Sequence, residues 1–115
     1  KLYSAALSHL ADLSSPIIYD LYCGTGTLGM VASMMASQVV GIELSSQAVQ
    51  DAKENAERNG IEKISFHQGD VGKILTELMG RSSFQRPDVV IVDPPRAGLD
   101  PLALHHLKTL RPKAI

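Results

Sequence analysis

The chain has 115 residues, 44% hydrophobic and 20% charged, with a net charge of −1. That balance excludes an intrinsically disordered chain, and the length allows one domain. A single cysteine excludes an internal disulfide framework, and no apolar run approaches the roughly 18 residues that a membrane helix needs. With no secretory signal visible, a cytoplasmic setting is expected.

The charge is unevenly spread. Five basic side chains stand against nine acidic ones up to Gly80, and six against three from Arg81 on. A basic edge attracts nucleic acid, but an ordinary solvated surface explains this one as well. The chain opens at Lys1 and stops at Ile115 just as an apolar run begins, so a piece of a longer domain is expected.

Hydrophobic periodicity predicts alternating helices and strands. Leu2 to Leu13 reads as a helix with Leu2, Ala6, Leu10 and Leu13 near one face, ended by Ser14-Ser15-Pro16. Ile17 to Tyr22 reads as a buried strand, and Cys23 to Thr27 as a glycine-rich turn. Leu28 to Ala36 reads as a helix whose Met30, Met34 and Met35 suit a core, and Val39 to Leu44 as a second strand. Ser45 or Ser46 caps a helix that runs to about Asn59, with Ala48, Val49, Ala52 and Ala56 inward. Asn59-Gly60 supplies the left-handed stop. Ile64 to His67 is a third strand, Val71 to Met79 a helix, and Gly80 to Pro87 a loop. Val89 to Val92 is apolar throughout, as a strand covered on both faces should be. Asp100-Pro101 starts a helix that ends near Leu110, and Ala114-Ile115 opens a fifth strand.

This alternation means an α/β fold with a parallel sheet, helices on both faces, and a ligand site beyond the carboxyl ends of the strands. Four features fall there: the turn after strand one, Glu43, Asp70 and Asp93. Gly24, Gly26 and Gly29 match the G-x-G-x-x-G dinucleotide spacing, and an acid such as Glu43 can accept hydrogen bonds from a ribose diol. The spacing alone leaves NAD and S-adenosylmethionine open. A pyrophosphate wants a helix N-terminus free of negative charge. Asp20 opposes it, and suits the ammonium of an amino-acid tail instead, so the balance tips to S-adenosylmethionine. Asp70, in Gln68-Gly69-Asp70, either accepts a hydrogen bond from an adenine amino group or caps the next helix; the two roles are compatible. In Asp93-Pro94-Pro95-Arg96-Ala97-Gly98-Leu99-Asp100 two prolines stiffen the turn that carries the acid. Arg96 stands where amino-group methyltransferases carry an aromatic residue, which argues against that chemistry. Cys23 reads as a small buried residue rather than a nucleophile. His67, His105 and His106 lack partners at metal spacing and read as packing or surface residues.

Together, Asp20-Leu21-Tyr22-Cys23-Gly24-Thr25-Gly26 and Asp93-Pro94-Pro95-Arg96-Ala97-Gly98-Leu99-Asp100 resemble the RNA uracil-5-methyltransferase family, from about Ile17 to Ile115. The resemblance implies a Rossmann-like class I methyltransferase fold and S-adenosylmethionine as cofactor. It also implies a tRNA or ribosomal RNA substrate methylated at C5 of a uridine. It implies that Tyr22 and Thr27 contact the cofactor, although relatives often have asparagine at the position of Thr27. By the same likeness, Glu43 holds the ribose and Asp93 lies between cofactor and target base. Arg96 orders that loop or contacts RNA. In such enzymes a cysteine thiolate adds to C6 of uracil, and a general base later removes the C5 proton. That cysteine belongs to a Cys-Asn-Pro motif expected downstream of Ile115, so no catalytic residue is expected among residues 1–115. The chain is expected to be the N-terminal part of the S-adenosylmethionine-binding domain, inactive alone, with no metal and no membrane partner. An uncovered sheet edge and apolar face are expected to promote self-association. The rivals are an NAD-dependent oxidoreductase domain and a non-catalytic cofactor- or RNA-binding module.

Overall fold

The computed structural model describes residues 16–92 and 98–114. Nine elements follow one another: β1 (Ile17–Leu21), α1 (Thr27–Ala32), β2 (Gln38–Glu43), α2 (Ser46–Arg58), β3 (Ile64–Gln68), α3 (Val71–Met79), β4 (Val89–Val92), α4 (Pro101–Leu110) and β5 (Lys113–Ala114). The helix expected over Leu2 to Leu13 lies outside the described residues.

The five strands form one sheet in the order β3-β2-β1-β4-β5. Every pair is parallel, with Asp20 at the centre, opposite Gly41 on one side and Ile91 on the other. The order reverses between β1 and β4, so a crevice opens over the carboxyl end of β1. This is the predicted α/β architecture.

Alternation along the strands divides the core into two layers. Ile18, Val39, Val89 and Ile91 face Ala32 and Ala36 of the α1 region. Phe66 extends that layer beneath Val49, Ala52 and Ala56 of α2. On the other face, Tyr19, Leu21, Ile42 and Val90 pack against Val71, Leu75 and Leu78 of α3 and Ala103 of α4. Helices α3 and α4 meet closely at Gly72, where a Cβ would stand 2.9 Å from Leu102 Cβ and 3.0 Å from the Ala103 nitrogen.

The helix α2 starts where the sequence indicates: Ser45 Oγ accepts the Ala48 N–H at 3.2 Å. Gly60, at φ 67°, follows its last turn. Helices α3 and α4 also begin at the predicted acids, Asp70 and Asp100. Two boundaries differ in substance. Strand β1 stops at Leu21, because Tyr22 takes a left-handed backbone with φ 60°. Helix α1 stops at Ala32 instead of reaching Ala36. There Ser33 Oγ donates to the Met30 carbonyl at 2.6 Å, the acceptor that a continuing helix would offer to Met34. Met34 N–H turns to the Val31 carbonyl and Met35 N–H to that of Ala32, which tightens the chain. Met34 thereby leaves the expected core and is 81% exposed.

Candidate functional site

The chain leaves β1 through a turn built from its own backbone. Cys23 N–H donates to the Ile42 carbonyl of β2 at 3.1 Å, and Gly26 N–H returns to the Cys23 carbonyl at 2.9 Å. Gly24 and Gly26 sit at φ 56° and 79°, a region glycine enters without a Cβ penalty. Gly26 also needs its small size, since a Cβ there would lie 2.8 Å from Phe66 Cε1. The Phe66 ring is thus the floor of the turn, a role the sequence reading did not assign. Thr27, exposed at the start of α1, has its hydroxyl 3.4 Å from that of Thr25.

Glu43, at the tip of β2, clamps this turn. Its Oε1 accepts the Gly24 N–H at 2.9 Å, and its Oε2 accepts the Ser45 N–H at 2.9 Å. One carboxylate therefore ties the glycine turn to the start of α2. The next residue, Leu44, is 63% exposed. Its carbonyl accepts from Gln68 Nε2 at 2.7 Å, and Gly69 N–H donates to the Glu43 carbonyl at 2.9 Å. An apolar side chain bared beside a strand-end acid is a signal that the sequence reading passed over.

Asp20 lies deeper than the turn. It is 3% exposed and lies within β1, on the α1 side of the sheet. Its Oδ2 is 3.0 Å from the point where Gly29 would carry a Cβ. The third glycine of the motif thus lets α1 close over a buried carboxylate. Asp70 is a helix cap: its Oδ1 accepts the Lys73 N–H at 3.1 Å. The phenol of Tyr22 lies near Asp100 at the start of α4. Burial first, then the charges of Asp100 and Asp70, raise its pKa above the ordinary value. Asp93 and Arg96 lie outside the described residues.

Cys23 reports the electrostatics of the turn. Burial, then the negative charges of Asp20 and Glu43, push its thiol up to about 12. It is therefore a neutral thiol at physiological pH and a poor nucleophile. His67 goes the other way: burial, then the Arg81 guanidinium, hold its pKa below 6.5. His106 Nε2 lies 2.7 Å from Thr76 Oγ1, joining α4 to α3. Among the described residues no cluster of three or more His, Cys, Asp or Glu side chains could hold a metal.

Three of the basic residues are elsewhere. Helices α3 and α4 run antiparallel to the strands, so Arg81, Arg86 and Arg111 fall at the opposite pole from the turn. Arg81 pairs with Glu77 at 2.6 Å. Arg86 donates from Nε to the Leu110 carbonyl at 2.9 Å, with Nη2 on the same oxygen. These two charges have local structural partners. A groove of about 490 Å³ between α2 and the β3 edge, lined by Ala56, Ile61 and Phe66 among others, shares Phe66 with the floor of the turn but none of the turn's own residues.

A doubly wound parallel sheet with a glycine turn at its switch point and an acid at the tip of the next strand defines a nucleotide-type ligand site. A family model described as a methyltransferase domain matches residues 14–110, and the chain belongs to that family. It is 51% identical over its whole length to an uncharacterised RNA methyltransferase of Protochlamydia amoebophila, covering 26% of that relative. A second uncharacterised RNA methyltransferase, from Clostridium acetobutylicum, is 48% identical over 93% of the chain, which covers 22% of it. The chain thus spans about a quarter of the length of these curated relatives. Among solved structures it resembles the Pyrococcus abyssi tRNA (uracil-54, C5)-methyltransferase in complex with S-adenosyl-L-homocysteine. The TM-score is 0.71 at 27% identity, over 96% of this chain and 26% of that one. No described helix is long and apolar enough to cross a membrane.

Proposed function

We propose that this chain is the cofactor-binding part of an S-adenosylmethionine-dependent RNA methyltransferase that acts at C5 of a uridine in tRNA or ribosomal RNA. The observation that carries the cofactor reading is the negative potential at the glycine turn. Asp20 lies buried beneath Gly29 and Glu43 accepts the Gly24 N–H, so two carboxylates flank the turn, and their charges add to burial in raising the pKa of the Cys23 thiol. Such a turn repels a pyrophosphate and attracts a sulfonium and an ammonium, so NAD is the poorer fit.

The residues fit the group in detail. Glu43 is fixed by two N–H donors and keeps acceptor capacity on each oxygen for the ribose hydroxyls. Leu44 offers an apolar surface to the adenine, and Asp70 accepts from its amino group while capping α3. Tyr22, Gly24, Gly26 and Thr27 line the methionine side. Asp20 acts from beneath α1 through its charge. When bound, the cofactor supplies an electrophilic methyl group. Asp93 is assigned to the junction of cofactor and base, and Arg96 to the RNA. The nucleophile and general base are assigned to parts of the protein beyond residues 1–115. The names of the RNA methyltransferase relatives and of the uracil-54 enzyme support the substrate class.

Two measurements test the reading in the full-length protein. Calorimetry should find saturable binding of S-adenosylhomocysteine, weakened in Glu43→Ala, and none of NAD. Methyl transfer from labelled cofactor to unmodified transcripts, followed by nucleoside analysis, should yield 5-methyluridine. Binding of NAD alone, or label on another nucleoside, overturns it.

A further inference from the structure

The α3 face of the sheet carries a pocket that shares no residue with the glycine turn. Three residues in register form its floor: Tyr19 of β1, Val40 of β2 and Ser65 of β3. His67 follows on the same face of β3, and Arg81 and Phe84, just past the end of α3, close the side. The Tyr19 hydroxyl donates to the Gln85 carbonyl at 3.1 Å, and Phe84 N–H donates to the Arg81 carbonyl at 3.1 Å, so the loop after α3 is fixed at the pocket's edge. The space is about 250 Å³. Sites for larger organic ligands run to roughly 300–1,000 Å³, so this one suits a single planar ring system rather than a whole nucleotide. Among the described residues, neither the Ser65 hydroxyl nor the His67 ring has a hydrogen-bond partner. Burial, then the Arg81 guanidinium, lower the His67 pKa, so at neutral pH its ring offers one donor and one acceptor. Such an interior suits the edge of a base better than a phosphate. The rim has the opposite character. Arg81 is exposed, and its pair with the exposed Glu77 one turn back is of a kind worth little. The run Arg81-Ser82-Ser83-Phe84-Gln85-Arg86 holds two arginines and no acid. Arginine and serine are residue types that contact phosphates, and an aromatic ring stacks on an unpaired base.

We propose that this pocket receives an unstacked base of the substrate RNA, with the adjoining phosphate on Arg81. This rests on the reading that the protein acts on RNA. The base lies against Tyr19 and Phe84 and bonds to Ser65 and His67. The guanidinium exchanges Glu77 for a phosphate, which it can meet with two parallel N–H donors. Stacking tolerates any base, so the pocket adds grip on the RNA and leaves the choice of uridine to other parts of the protein.

The test separates the seated base from the surface charge. Ser65→Leu fills the floor of the pocket, and Arg81→Gln removes the charge at similar length. In the full-length protein each should raise the Kd for an unmodified transcript about tenfold in fluorescence anisotropy, with S-adenosylhomocysteine affinity unchanged. Arg81→Gln should also reduce the steepness of log Kd against log salt by about 0.7, the share of one single-strand phosphate, and Ser65→Leu should leave it as it was. Photo-cross-linking needs no variant. Transcripts carrying 4-thiouridine or 6-thioguanosine should label the wild-type protein at Phe84 or Tyr19. Wild-type RNA affinity in a folded Ser65→Leu, or cross-links that avoid both aromatic residues, overturns the pocket while leaving the RNA reading intact. Failure of the wild-type protein to bind and methylate RNA removes both.

Discussion

Gly26→Ala tests whether the Phe66 floor or the backbone conformation sets the glycine turn. At φ 79° an alanine in the left-handed region costs roughly 1–2 kcal/mol. Its Cβ would also lie 2.8 Å from Phe66 Cε1, 3.0 Å from Phe66 Cζ and 3.2 Å from Ala52 Cβ. Overpacking of that kind costs about 1–3 kcal/mol. The expected loss is therefore roughly 2–5 kcal/mol. Gly24→Ala isolates the first effect, because at φ 56° its Cβ meets nothing within 4 Å. It should cost only about 1–2 kcal/mol. Phe66→Leu removes the ring edge, so the Gly26→Ala/Phe66→Leu pair should recover about 1–3 kcal/mol relative to the summed single changes. Urea denaturation of the four variants gives these values, and calorimetry with S-adenosylhomocysteine shows whether turn height follows. Equal losses in Gly24→Ala and Gly26→Ala, or no coupling to Phe66, would refute the steric argument.

Glu43→Gln leaves one acceptor for two N–H donors and points an amide at one of them; affinity for S-adenosylhomocysteine should fall tenfold or more by calorimetry. The raised Cys23 pKa means that the folded state holds a proton which the unfolded chain releases above pH 9. Stability should therefore fall as pH rises from 9 toward about 12, and less steeply in Cys23→Ala, as read from denaturation midpoints. His67 has the opposite sense: its lowered pKa means that the unfolded chain binds the proton first, so stability is lost as pH falls below 6.5. Arg81→Ala should raise the His67 pKa, followed by proton NMR, because the guanidinium opposes its charge. Arg86→Ala uncaps α4 at Leu110; it should cost on the order of 1–2 kcal/mol in denaturation and leave S-adenosylhomocysteine affinity unchanged.

The elements that were legible carry short-range signals. Val89–Val92 is uniformly apolar, and Ser45, Asp70 and Asp100 cap the helices that follow them. The misjudged end of α1 depended on a competition that periodicity cannot register, in which one serine hydroxyl takes a carbonyl from the helix. Glu43 was legible because a strand-tip acid after a glycine turn is a local pattern. Its partners Gly24 and Ser45 were not, because they follow from the parallel register of β1 and β2. Phe66 and Gly72 were hidden for the same reason. Each matters through a neighbour distant in sequence: Phe66 lies beneath Gly26, and Gly72 against Asp100. Asp20 was legible as a member of the motif but its depth was not, because its burial follows from its place between β2 and β4 at the centre of the sheet.

Fold likeness by itself does not choose the substrate. That has a physical cause. On the proposed reading residues 16–92, which build β1 to β4, are the half of the domain that handles the cofactor, and any enzyme using that cofactor must solve the same problem of ribose, charge and close backbone approach. Discrimination has to come from outside that half. Within this sequence the proposed reading assigns it to Asp93-Pro94-Pro95-Arg96, where an arginine stands in place of the aromatic of amino-group methyltransferases. If that turn carries the choice, Arg96→Ala should lower RNA affinity while leaving S-adenosylhomocysteine binding as it was. Equal losses of both would place Arg96 in the cofactor half and return the substrate question to segments outside this chain.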